Sequence, residues 1–289
     1  MYNVFTDFHH AGLLNSLILL FEKRLGGTVC RPIGKDWYEK GFWKVFDHPA
    51  TVEQYLGING ATPDGTPKLN EVISNEWVGK ENENNTTYKH PIYYQCKDID
   101  SGYTNKAITF DGFLQSRIDI VIASIPQHIE PFKRLCELHP NKPKLIYQIG
   151  NTWNIPEGIE VKNVMSSANI SYPPGLHYVQ YHQEFNLDIF RPDWEVKSGN
   201  YIYSFVNCFD SQSHFIQDWA MFIEIERRMP TWYFRSFGGQ CRDGSIGGAQ
   251  NLAKKIREAK FIWHTKYGGD GYGHIIHNVP AVGRPLIVN

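Results

Sequence analysis

The stretch YNVFTDFHHAGLLNSLILLFEKRLGGTVCRPI, residues 2–33, decides the fold class. Residues 2–6 predict a strand, and the apolar positions after them recur at helical spacing: Leu13, Leu14, Leu17, Ile18, Phe21 and Leu25. Gly26 and Gly27 are typical of a helix C-terminus, and residues 29–33 predict a second strand. A strand, a helix and a strand in this order form a βαβ unit, which implies a parallel sheet.

The same alternation continues along the chain. It predicts a strand at 118–124, a helix at 129–138 and a strand at 144–149, and it restarts after a linker near 185–200. The second array has predicted strands at 201–206, 232–237, 261–264 and 285–288, and predicted helices at 215–228, 249–259 and 273–279. These arrays predict an α/β protein with two Rossmann-like domains, 1–185 and 200–289, facing a cleft.

Two parts of the chain depart from this regular pattern. Residues 35–115 carry turn signals at Pro63, Asp64-Gly65 and Pro67, which predict an irregular insertion with short helices and a hairpin. The chain stops at Asn289, directly after an apolar strand. Because a doubly wound sheet needs helices on both faces, we expect the second domain to be truncated, with an apolar patch beside 286–288.

The composition is that of a globular protein without a strong global charge. The hydrophobic fraction is 42%, the charged fraction is 20% and the formal net charge is −1, which leaves open a local basic groove and thus a nucleic-acid acceptor. The five cysteines contain no CxxC pair and are interpreted as reduced thiols. With no signal peptide and no transmembrane segment evident in the sequence, we expect a cytoplasmic protein.

The segment 259–288 carries the strongest functional signal, and it reads AKFIWHTKYGGDGYGHIIHNVPAVGRPLIV. A buried strand is followed by a loop that combines glycines with a carboxylate and opens a helix; its residues are Gly268, Gly269, Asp270, Gly271, Tyr272 and Gly273. Glycines let backbone N–H groups approach a ligand closely, and a helix N-terminus favours a phosphate. The segment therefore predicts a nucleotide-binding loop.

This segment resembles the donor-binding signature of glycosyltransferases with the GT-B fold. In that family an "EGFG" loop, a helix and "A-x-G-x-P" precede a strand, and here Asp270-Gly271-Tyr272-Gly273 and Ala281-Val282-Gly283-Arg284-Pro285 stand at matching spacing. The resemblance implies a nucleotide-sugar co-substrate, with Asp270 at the transferred sugar and Asn278 at the ribose. It implies no metal and no further cofactor, and it leaves the acceptor unknown.

Two features depart from the family pattern. Asn278 stands where many members have an acidic residue, so this position can form hydrogen bonds but carries no charge. The family's Arg and Lys after the first strand of this domain have no counterpart in 207–213. Lys266 and Arg235 are, by position, the candidates to neutralise the diphosphate.

A second candidate group follows the first predicted strand. Asp7, His9 and His10 stand at the carboxyl end of that strand, where α/β proteins place ligand-binding loops. Inverting members of the family often have a histidine base there, oriented in some by an Asp. The resemblance therefore implies His9 or His10 as the base that deprotonates the acceptor hydroxyl, with Asp7 as its orienting partner.

The leading hypothesis is a glycosyltransferase of the hexosyltransferase kind, and two alternatives stay open. The first is a nucleotide-sugar epimerase of the same architecture, which needs an acid and a base at the donor sugar and no acceptor groove. The second is a non-catalytic binding protein, which Asn278 and the missing basic pair favour. His274 and His277 are three apart on a predicted helix, with His264 near, but a zinc site there is disfavoured because no third ligand with an ordering partner is evident.

Overall fold

The structure is a computed structural model that describes residues 1–7, 11–32, 37, 40–42, 72–74, 94–97, 104–150, 155–168, 170–181, 186–211, 215–266 and 273–289. The chain divides into two compact units, Met1–Glu184 and Phe185–Asn289. Within the described residues, no helix has both the length and the apolar character required to cross a bilayer.

The first unit alternates strands with helices. Its strands are β1 (Asn3–Thr6), β2 (Thr28–Pro32), β3 (Val72–Ser74), β4 (Tyr94–Lys97), β5 (Thr104–Ile108), β6 (Ile120–Ala123), β7 (Lys144–Ile149), β8 (Asn163–Ser166) and β9 (His177–Gln180). Its helices are α1 (Ala11–Leu17), which a π-helical segment (Ile18–Arg24) extends, α2 (Phe110–Gln115), and α3 (Ile129–Leu138), which a 3-10 turn (Pro126–His128) precedes.

The described strands of this unit form one nine-stranded sheet in the order β3-β4-β5-β2-β1-β6-β7-β8-β9. β4 runs antiparallel to both of its neighbours, β3 and β5, whereas the strands from β5 to β9 in the sheet are parallel to one another. Taken in chain order, the parallel strands follow the Rossmann order 3-2-1-4-5-6 with one further strand added. The α/β class with parallel sheets that the sequence predicts is thereby confirmed.

Helices cover both faces of this sheet. On one face Leu14 and Leu17 of α1 join Val4 and Ile122 in one buried cluster. On the other face Phe113 of α2 and the buried side of α3 pack in a second cluster built on the aromatic ring of Phe5. The Phe5 ring lies 4.9 Å from that of Phe113 and 5.6 Å from that of Phe132. Burial on both faces explains why these strands read as continuous apolar runs.

The structure corrects two sequence-based expectations in this unit. Residues 104–115, predicted to end an irregular insertion, form β5 and α2, and β5 pairs in parallel with β2 inside the sheet. The predicted helix is α-helical only to Leu17, and its second half has π-type hydrogen bonds such as Leu25 N to Leu20 O at 3.1 Å. Apolar spacing does not distinguish the two helix types over so short a segment.

The second unit contains β10 (Tyr201–Ser204), α4 (Ile216–Arg228), β11 (Tyr233–Ser236), α5 (Ala249–Glu258), β12 (Phe261–Trp263), α6 (His274–Ala281) and β13 (Leu286–Ile287). Its four described strands are parallel and lie in the order β11-β10-β12-β13. This is the start of the flavodoxin-like order 2-1-3-4-5. The sequence predicts an apolar patch beside residues 286–288. In the structure, Leu286 and Ile287 are partly buried and Val288 is 54% exposed.

A buried histidine ties α2 to the turn after α3. His139 is fully buried; its Nε2 lies 3.1 Å from the carbonyl oxygens of Phe113 and Ser116, and its Nδ1 accepts from Asn141 N at 3.0 Å. These partners require the neutral ring with its proton on Nε2. Burial lowers the pKa of His139 below the ordinary 6.5; the two carbonyls and Asp119 oppose this shift, and Lys142 adds to it.

We expect His139 to make the protein less stable in mild acid. Because its folded pKa is lowered, its contribution is complete above pH 6.5 and is lost as pH falls through the folded pKa. His139→Gln keeps a donor for the carbonyls but loses the Nδ1 acceptor, so it should lower the free energy of unfolding by about 1 kcal/mol at pH 7.5. Because glutamine cannot titrate, the variant escapes the acid-induced loss, and the difference from the parent should be smaller at pH 5.5. Urea unfolding at both pH values measures this, with the exposed His177→Gln as control. An equal loss at both values would contradict it.

Candidate functional site

The carboxyl ends of β10 and β12 flank the point at which the strand order of the second sheet reverses. From β10 the chain moves to β11 on one side, and then returns through α5 to β12 on the other side. Loops that leave two neighbouring strands in opposite directions open a crevice, and α/β proteins bind ligands there. β12 ends at this crevice, and Gly268 to Tyr272 stand in the sequence between the end of β12 and the start of α6.

The loop itself, residues 267–272, lies outside the described residues. Gly268, Gly269, Asp270, Gly271 and Tyr272 thus stay sequence-based predictions. The chain is described again from Gly273, which stands at the N-cap of α6 and offers no side-chain cap to the helix. Because glycine has no side chain, the N-cap residue itself provides no side-chain acceptor for the first N–H groups of α6.

Asn278 is a buried amide in the middle of α6. Its side chain is 4% exposed, and its Oδ1 has no hydrogen-bond partner among the described residues. A buried carbonyl oxygen without a donor costs free energy, so such atoms in native proteins call for an explanation, for example a bound ligand. The position that the resemblance assigns to the ribose therefore has an unused acceptor.

The end of α6 explains the Ala-Val-Gly-Arg-Pro motif physically. Gly283 has φ +79°, a left-handed conformation that closes the helix, and Arg284 N donates to Val279 O at 3.1 Å. The guanidinium of Arg284 donates to the carbonyl of Arg257 at 2.7 Å. Gly283 and Arg284 thus hold α6 and the end of α5 in place, which is a structural role.

The two candidate cations lie in different surroundings. Lys266 stands three residues after the end of β12, and its ammonium lies 5.9 Å from the ring of Phe215, which ends the loop after β10. This places Lys266 at the crevice. Arg235 lies on β11, at the edge of the described sheet, where its guanidinium is 2.7 Å from the Asp243 carboxylate. Asp243 therefore already neutralises the charge of Arg235.

The loops after β10 and β11 are hydrogen-bonded to each other. Asn207 Oδ1 accepts from Gly239 N at 2.5 Å, and Asp210 accepts from Arg242 N at 2.6 Å. Gly238 has φ +152°, and a Cβ there would lie 2.9 Å from the Cα of Asn207, so the close approach of the two loops requires glycine. These contacts hold the loop after β10 against the loop after β11, on the side away from β12.

In the first unit, Asp7 follows β1 and has partners that the sequence did not suggest. Asp7 is fully buried; its Oδ1 accepts from Ser124 N at 2.7 Å, and its Oδ2 lies 2.5 Å from Nδ1 of His128, also fully buried. His9 and His10 lie outside the described residues, so their role as base and that of Asp7 as their partner stay predictions. No local pattern in the sequence points to His128, because it lies 121 positions from Asp7 and only the pairing of β1 with β6 brings the two together.

No group of three or more His, Cys, Asp or Glu that could hold a metal ion occurs among the residues that the structure describes. His274 lies in the first turn of α6 and His277 in its middle. His264 is buried directly after β12.

Comparison with known proteins supports the fold. A solved structure of a glycosyltransferase from Rickettsia africae ESF-5 aligns with 99% of this chain and 79% of that chain, with a TM-score of 0.53 and 12% sequence identity. At this identity the likeness shows a similar fold. No protein-family model matches the chain, and no curated protein matches it.

Proposed function

We propose that this protein is a glycosyltransferase that moves a sugar from a nucleotide-diphosphate sugar to an acceptor hydroxyl. The observation that carries the proposal is that β12, which ends at the reversal point of the second sheet, and α6 are the elements that flank the glycine-rich segment in the sequence. The fold likeness to a glycosyltransferase and the unpartnered amide oxygen of Asn278 support it.

In this proposal the second unit binds the donor. The N–H groups of the first turn of α6 and the ammonium of Lys266 would bind the diphosphate, because both present positive charge at the crevice. The Oδ1 of Asn278 would accept a hydrogen bond from a ribose hydroxyl. Asp270 would accept hydrogen bonds from hydroxyls of the transferred sugar, as the matching family position does.

The first unit would then serve the acceptor, in the two-domain GT-B arrangement. His9 or His10 would take the proton of the acceptor hydroxyl while the hydroxyl oxygen forms a bond to the anomeric carbon of the donor sugar. The bond from that carbon to the diphosphate oxygen breaks, and the nucleoside diphosphate leaves with the electron pair. Lys266 and the α6 N-terminus would stabilise the charge that develops on this leaving group.

The experiment is an incubation with pooled nucleotide sugars, with and without a panel of hydroxyl-bearing acceptors, followed by mass spectrometry. A transferase releases nucleoside diphosphate and adds a glycosyl mass to an acceptor. An epimerase interconverts donors of equal mass without releasing nucleotide, and a binding protein shows calorimetric binding without turnover. Either of these two results, or the absence of both binding and transfer, would overturn the proposal.

We expect the two candidate cations to differ in their effect on donor affinity. Lys266→Ala should weaken donor binding about fivefold, because it removes a charge at the crevice. Arg235→Ala should change the affinity less than twofold, because the Arg235 guanidinium pairs with Asp243 on the edge strand. Calorimetric titration of both variants with the same donor measures this difference. A larger loss for Arg235→Ala than for Lys266→Ala would place the diphosphate elsewhere.

A further inference from the structure

The carboxyl ends of β1 and β6 are joined by one buried polar group. The Asp7 carboxylate receives the backbone N–H of Ser124 on one oxygen and lies 2.5 Å from His128 Nδ1 on the other. Both side chains are fully buried. A buried carboxylate must obtain all its hydrogen bonds from the protein, so these donors determine where the end of β1 lies.

The His128 ring is held in a defined orientation. It stacks on the Phe132 ring with centroids 5.2 Å apart and an angle of 19° between the planes. Since a carboxylate oxygen only accepts and a ring N–H donates, Nδ1 of His128 is the donor to Oδ2 of Asp7. The first turn of α3 follows His128, and its N-terminal end also favours the Asp7 charge.

The place of this group in the fold gives it a role beyond stability. β1 and β6 are the neighbours between which the strand order of the first sheet reverses, so their carboxyl ends flank its crevice. In the sequence, Asp7 is two residues from His9 and three from His10. A displacement of Asp7 therefore shifts the starting point of the segment that contains both candidate bases.

We propose that Asp7 and His128 form a positioning pair for glycosyl transfer. The pair fixes the carboxyl end of β1 against the loop after β6, and so fixes the residue after which the segment with the candidate bases His9 and His10 begins. Neither residue contacts substrate, because both are fully buried. The inference rests on the proposed function, and it gives Asp7 a partner other than the adjacent histidines.

The test compares five variants of the full chain, one of them a control. His128→Phe keeps a ring against Phe132 but removes the donor, and Asp7→Asn removes the charge. The double variant tests whether the two act as one unit. His128→Asn restores an N–H donor near the position of Nδ1, and Glu130→Gln, an exposed change on α3, is the matched control.

The expected result has a structural part and a kinetic part. Hydrogen exchange of peptides that cover 3–7 and 120–128 should be faster in His128→Phe than in the parent. In that variant kcat per folded molecule should fall about tenfold, with the donor KM within twofold of the parent. The double variant should lose no more than the worse single variant, whereas His128→Asn should recover most of kcat and Glu130→Gln should match the parent.

Two outcomes would contradict the proposal that Asp7 and His128 form a positioning pair, and one would contradict the proposed glycosyl transfer. If exchange in both peptides is unchanged, the pair does not hold the strand ends. If exchange rises but kcat per folded molecule is that of the parent, the pair is only structural. A parent that transfers no sugar from any donor overturns the proposed function instead, and the exchange data then still decide whether the pair holds β1 against the loop after β6.

Discussion

Alanine in place of Gly27 should lower the free energy of unfolding by about 3 kcal/mol, because the first two strands begin too close together for a side chain there. A Cβ at Gly27 would lie 1.9 Å from the carbonyl oxygen of Tyr2 and 2.8 Å from its carbonyl carbon. That carbonyl also accepts from Thr28 N, so it cannot move away without disturbing the start of the β1–β2 pairing. Urea unfolding followed by circular dichroism measures the loss.

The neighbouring glycine provides the control for this prediction. Gly26 has φ +67° and no atom within 4 Å of an added Cβ, so Gly26→Ala should cost only the strain of the left-handed backbone, about 1 kcal/mol. The two variants have the same composition and differ by one position. If Gly26→Ala proves as harmful as Gly27→Ala, the close approach to Tyr2 is not what requires glycine.

The parts of the fold that could be predicted are those in which a side-chain pattern is long and continuous. The helix over 129–138 and the strand over 144–149 have the predicted bounds, because the helix is amphipathic and an apolar strand buried on its inner half follows it. In contrast, β5 reads TNKAI, with a lysine in the middle. That lysine, Lys106, forms a 2.6 Å ion pair with Glu22 of the π-helical segment. A distant partner thus explains a polar residue in the sheet, and no local pattern reveals it.

The same distinction applies to the candidate sites. The glycine loop could be identified because its residues are consecutive and a short segment contains the whole signature. His128 could not, because 121 positions separate it from Asp7 and only the pairing of β1 with β6 brings them together. The distinction between Lys266 and Arg235 likewise depends on the Asp243 carboxylate, which the sequence places eight positions from Arg235 without indicating a contact.

The two sheets have related geometry at their candidate sites. In each, the polar candidates follow the two strands between which the strand order reverses: β1 and β6 in the first unit, β10 and β12 in the second. Ligand-binding sites of α/β proteins are common at this point of the sheet, because neighbouring loops diverge and leave room for a ligand next to backbone N–H groups. This topology favours a ligand site beside α6 independently of the resemblance, since it depends only on the order of the strands.

Substitution of Asp270 should have the largest effect on donor binding. Asp270 is the only carboxylate in the loop 267–272, and the resemblance assigns it to the hydroxyls of the transferred sugar. Removal of a charged acceptor from such hydrogen bonds costs about 2 kcal/mol, so Asp270→Ala should weaken donor binding roughly thirtyfold. Calorimetric titration with the donor that the pooled assay identifies measures this change.

Asp270→Asn separates the charge of this residue from its shape. The amide keeps one acceptor oxygen and nearly the same volume, so a loss close to that of Asp270→Ala would mean that the negative charge matters most, and a loss of only a few-fold would mean that one acceptor suffices. The control is Asp188→Asn, an exposed aspartate of the same unit that should leave the affinity unchanged. In the proposed site Asp270 binds the sugar, whereas α6 and Lys266 bind the nucleotide, so free nucleoside diphosphate should bind both Asp270 variants as tightly as it binds the parent. If both variants also bind every nucleotide sugar as the parent does, the loop is only a tight turn and the donor site lies elsewhere.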